Sequence, residues 1–117
     1  MVPPVQSTLL AAAAVTAIVG QRVYQSIAPQ DQTQPYVVWA VVTSAPGNNL
    51  SETPEYDDQR VQIDCWSLNQ AQARQLGQAV RDAIEAQTHI VFGPWNDYEP
   101  ETKLHRWSFD CEYWQDR

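Results

Sequence analysis

The residues able to carry chemistry are few and scattered. Two histidines, His89 and His105, and two cysteines, Cys65 and Cys111, are the only soft ligands in the chain. Zinc needs four protein ligands, or three and a water. These four residues could supply them, but they lie far apart and follow no metal-binding spacing. The histidines read as ordinary surface or half-buried side chains. The acids gather in two runs: Glu52, Glu55, Asp57 and Asp58, and then Asp97, Glu99 and Glu101. Either run could approach a cation, but neither has the ligand pattern of a calcium loop. Solvated acidic loops are the simpler reading. No Gly-x-Ser-x-Gly turn is present, and the four glycines do not cluster into a phosphate-binding loop. No catalytic group and no cofactor are expected, so function must come from assembly.

The elements that hold these residues are more legible. From Arg60 to Glu85 the hydrophobic period switches from two to about 3.6. Val61, Ile63 and Cys65 alternate with Gln62, Asp64 and Trp66, the mark of a half-buried strand. Ala73, Leu76, Val80, Ala83 and Ile84 then recur at helical spacing. Ser67 or Asn69 is positioned to cap this helix, which ends near Ala86. Gly77 within it permits close approach to a sheet. Upstream, Pro3 and Pro4 suit a first helical turn, and a helix from Val5 to Ala13 follows. A break near Ala14 and a short turn to Val19 lead to Gly20, which ends the segment. Residues 21 to 34 are polar with local anchors at Val23, Tyr24 and Ile27. Tyr36–Thr43 reads as a strand buried on most of both faces, hence central. A long loop from Ser44 to Gln59 precedes the Arg60–Ser67 strand. Ile90–Phe92 is a short strand stopped by Gly93 and Pro94, and Trp95–Lys103 a second acidic loop. In the last strand, Leu104–Trp114, Trp107, Phe109, Cys111 and Tyr113 face one way and Arg106, Ser108, Asp110 and Glu112 the other. The order predicts one α+β domain over residues 1–117: a mainly antiparallel four-stranded sheet with helices packed on one face.

Composition narrows the partners. Fourteen acids against seven bases give a net charge of −7, the wrong sign for gripping nucleic-acid phosphates. The two cysteines fall on apolar strand faces and read as buried free thiols in a reducing compartment. Leu9–Val19 is apolar but too short to span a membrane, and no basic residue precedes Arg22 as a signal peptide would require. Five tryptophans are many for 117 residues. Trp107 is assigned to the core. Trp39 and Trp66 fall on the sheet face away from the helix if Val38, Val42, Ile63 and Cys65 point toward it. There they form either a small second core under the long loops or, with Trp114, an aromatic patch that meets another subunit.

Three stretches together resemble a known family. They are Pro35-Tyr36-Val37-Val38-Trp39 opening a strand; Arg60-Val61-Gln62-Ile63-Asp64-Cys65-Trp66-Ser67 followed by a helix with Ala73, Leu76, Ala79, Val80, Arg81, Asp82 and Ala83; and Leu104-His105-Arg106-Trp107-Ser108-Phe109-Asp110 before Trp114. Their order and spacing are similar to the tail-completion, or tail-terminator, proteins of long-tailed bacteriophages and prophages. The resemblance implies a virion protein without enzymatic activity or cofactor. It would form a hexameric ring at the head-proximal end of the tail tube, end tube polymerisation and join tail to head. It would assemble in the host cytoplasm, from copies that are monomeric when free and dilute. The implied partners are other copies of itself, the major tail tube protein and a head-completion or connector protein, with DNA passing through unbound and no membrane involved. In such a ring either acidic loop, if it faced the lumen, would repeat its carboxylates around the channel and repel DNA phosphates. The alternatives are another virion subunit, such as a head–tail connector or a tube-like protein, and a small metal-dependent enzyme built on the acidic loops and histidines.

Overall fold

The computed structural model describes residues 3–29, 34–46 and 56–116. The elements run α1 (Val5–Ala11), α2 (Ala13–Val19), β1 (Val23–Gln25), β2 (Tyr36–Pro46), β3 (Tyr56–Ser67), α3 (Gln70–Glu85), β4 (His89–Glu99) and β5 (Leu104–Asp116). They make one five-stranded mixed sheet in the order β1-β2-β3-β5-β4. The α+β class stands, but the sheet has five strands where four are expected. The added strand, β1, pairs parallel to β2, with Val23 opposite Val37 and Gln25 opposite Trp39. Three residues are too few to show a period, so the sequence gives it no signature.

The first helix breaks two residues earlier than expected. Ala12 adopts an extended conformation at ψ 111°, and α2 restarts at Ala13. Gly20 ends α2 at φ 61°, a conformation that costs glycine little. The β2 bulge, between Val41 and Thr43, shifts its register against β3. β2 is not buried on both faces: Val37 and Trp39 are buried, whereas Val38 and Ala40 are only half-buried. The central strand is β3, paired on both sides along its length. β4 continues through the Gly93–Pro94 step to Glu99, with register shifts on either side of Phe92. Most of the expected second acidic loop is therefore strand, and only the Pro100–Lys103 turn lies outside it.

The core lies between the helices and one face of the sheet. Val5, Leu9, Val15, Val19, Leu76, Val80 and Ile84 meet Val37, Trp39, Val61, Ile63, Cys65, Phe109 and Cys111. The phase of α3 is as the sequence requires, with Leu76 fully buried. Asn69 caps α3, its side chain accepting from the Gln72 N–H at 3.1 Å. Ser67 supports the cap, accepting from the Asn69 N–H and donating to Gln72 Oε1.

Candidate assembly surfaces

Side chains of odd and even residues leave the two faces of β3 and β5, and the two faces differ in chemistry. The odd-numbered face is the core. The even-numbered face is polar and aromatic, and the core residues of the helices all sit on the opposite side. One row crosses this outer face and draws a side chain from every strand. Tyr24 of β1 meets Tyr36 of β2 edge-on at 6.3 Å between centroids. Tyr36 stacks on Trp66 of β3, also at 6.3 Å and with the rings 24° apart. The Arg106 guanidinium of β5 lies 5.5 Å from the Trp66 ring, within cation–π range. Arg106 in turn pairs with Asp97 of β4. Burial, and secondarily the charge of Glu99, raises the Tyr36 pKa. Further along the same face Arg60 binds Asp110 at 2.9 Å, and Ser108 donates to Asp64 at 2.6 Å.

The candidate aromatic patch divides. Trp39 is not on the outer face. It is 1% exposed, and its indole N–H donates to Gln6 Oε1 at 2.8 Å. The reason is that β2 presents its odd residues to the helices, so Val37 and Trp39 point inward and Val38 outward. Trp66 is where expected, half-buried on the outer face. Trp114 is 53% exposed near the far end of β5. Trp107 lies on the helix side against Gly77: a Cβ on that glycine would fall 1.9 Å from Trp107 Cδ1. Only glycine allows that approach.

The acidic runs divide too. Glu52 and Glu55 lie outside the described residues, and of Asp57 only the backbone is described, in β3. Asp58 is half-buried on β3 and pairs in register with Trp114. Asp97 and Glu99 stand on β4 and Glu101 in the turn beyond it, all exposed. His105 packs against Tyr98 at 4.8 Å and His89 is exposed at the start of β4. Among the described residues no three His, Cys, Asp or Glu side chains converge as metal ligands, and no helix is long and apolar enough to cross a membrane.

Cys65 and Cys111 are buried and unbonded to each other. Burial, then the neighbouring charge of Asp64, pushes the Cys65 thiol pKa far up. Burial and then Asp110 push Cys111 up to about 12. Both thiols stay protonated and inert at neutral pH.

Two hollows flank β4, and sequence reasoning missed both. One, of about 750 Å³, lies on the helix side between α3 and the sheet, lined by Gln70, Arg74, Gln75, Gln78, Asn96 and Trp107. The other, of about 260 Å³, lies at the end of the outer face, where Trp66, Asp97, Glu99 and Arg106 meet Tyr98 and Pro100. They had no advance signal, because Trp95–Lys103 reads as a loop and only its pairing in β4 sends Asn96 and Asp97 to opposite faces.

The profile of the family described as tail completion protein gp17 matches residues 3–116. Among solved structures, a chain of the virion of a native gene transfer agent particle is similar in fold, with a TM-score of 0.71 at 19% identity. That similarity covers 97% of this chain and 92% of the other. No curated protein sequence matches.

Proposed function

The chain belongs to the tail completion protein gp17 family, and from that premise we propose that it closes as a hexameric ring on the head-proximal end of a phage tail tube. As a member of the family it is a structural protein of the virion tail and not an enzyme. The ring ends tube polymerisation and offers its free side to the head-completion or connector protein. The observation that carries this reading is the family match, which runs through every element of the fold. The fold's likeness to a chain of a gene transfer agent virion is consistent with it. A tube subunit would polymerise without limit, whereas a heterologous contact whose rotation closes stops at a ring.

The acidic run Glu52, Glu55, Asp57 and Asp58 is assigned to the lumen, because it contains no basic residue to neutralise it. Repeated around the channel, it holds a negative field that keeps DNA from adhering. Trp66, half-buried, and Trp114, exposed, are assigned to contacts with neighbouring virion proteins as aromatic anchors.

The test is to remove the gene and image the particles. Tails of uncontrolled length, unattached to heads, are expected, with both defects repaired by supplying the protein. Normal joined tails in its absence would contradict the role. Replacing Glu55, Asp57 and Asp58 together by Lys should leave assembly intact and slow DNA ejection, with the defect easing at high salt. Unchanged ejection would remove the lumen assignment alone.

A further inference from the structure

The proposed ring needs two different surfaces on each copy that fit one another. The two hollows beside β4 supply them. Of the described basic residues, Arg60, Arg81 and Arg106 are each engaged by a carboxylate, and Arg22 is engaged by the carbonyl oxygens of Pro35 and Ile18. Arg74 makes no ion pair or hydrogen bond through its guanidinium among the described residues. It stands in the helix-side groove, in the stripe Gln70, Arg74, Gln78 at i, i+4, i+8 along α3. Lys103 is also without such a partner, but it sits on the exposed turn after β4 and lines neither hollow.

The outer hollow has the opposite character. Glu99 is exposed and makes no ion pair among the described residues, and Asp97 beside it has only Arg106. The rings of Trp66 and Tyr98 wall it, already engaged by Tyr36 and Arg106 and by His105 in turn. The groove thus offers a free cation between amides, and the notch a free acid beside an ion-paired one.

We infer that the Gln70–Arg74–Gln78 stripe of one copy docks in the Trp66–Asp97–Glu99–Arg106 notch of the next. This rests on the proposed ring and names its subunit contact. The occupant is a second copy, because each hollow carries what the other lacks. The two flank β4 from opposite faces of the sheet, so one contact leaves a free groove and a free notch at the ends of the pair. A contact of that kind repeats in one direction, as a closed ring demands. Arg74 then enters the notch beside the Asp97 and Glu99 carboxylates.

The test is carried out on assembled particles. The double variant Arg74→Cys, Glu99→Cys is treated with a short bis-maleimide and run on a denaturing gel. Cys65 and Cys111 are buried and protonated and should stay silent. A ladder extending past dimer to the closed ring is expected, with no ladder from either single variant. Complete tails that contain the double variant yet give only monomer would overturn the contact while leaving the ring in place. Particles whose images show no ring of this chain would overturn both. Independently, Arg74→Glu or Glu99→Arg alone should lower the yield of completed tails at least about tenfold, and the two together should restore it. Wild-type yield from the single reversals, or loss without mutual rescue, would overturn the pairing.

Discussion

Trp39 shows that the side on which a residue lies is settled by packing the strand pattern does not reveal. In the run Tyr36–Thr43 apolar residues occupy both parities, so alternation cannot choose the buried face. In the fold the odd parity packs into the core, where the Gln6 carbonyl of α1 accepts from the indole while its amide donates to the Val23 carbonyl, each at 2.8 Å. Neither contact has any sequence signal, at separations of 17 and 33 residues. Replacing Gln6 by Ala leaves the buried indole N–H without an acceptor and should lower stability by about 1–3 kcal/mol in denaturant titrations. The cysteines were legible, since each sits on the apolar parity of its strand. Their raised pKa values give a pH dependence of defined sign. The folded thiols hold their protons above the ordinary value of 9.0, while unfolded thiols ionise there. Their contribution to stability is therefore complete below about pH 9 and is lost as pH rises toward the folded values. Replacing Cys111 by Ala should flatten the fall in stability between pH 9 and 11, read from urea midpoints. An unchanged slope would mean that the thiol is not held protonated.

At the scale of elements, the strand-to-helix passage from Arg60 to Glu85 was readable because two periods meet within a few residues. The Asn69 cap and the Gly77 contact followed from it. Gly77→Ala would place a methyl inside the Trp107 ring, and about 1–3 kcal/mol of destabilisation is expected. Leu76→Ala should cost about 2–5 kcal/mol, because that side chain is fully buried. A thermal melt compares the two directly. What failed was β4. Gly93 and Pro94 ordinarily end a strand, yet here β4 passes them with its register shifted and takes up the acids beyond. The partner that recruits Trp95–Glu99 is β5, distant in no composition but visible only once the strands are paired. β1 was missed for a related reason: three residues acquire strand identity only from β2 beside them.

For the molecule as a whole, the sequence indicated one sheet with helices on one face, and it indicated a family through three spaced stretches. It did not show that the opposite face carries a row of one side chain from each strand, or that β4 separates a cationic groove from an acidic notch. Those depend on register, and register is a property of pairs. In the proposed ring, copies of a chain of net charge −7 repel one another unless free cations meet acids of the neighbouring copy. The most direct test of this account is the structure of the head-proximal end of an intact tail, determined by cryo-electron microscopy. The account expects one closed hexameric ring of this chain, between the last tube ring and the connector. A copy distributed along the tube, or a tail end capped by a different protein, would contradict it.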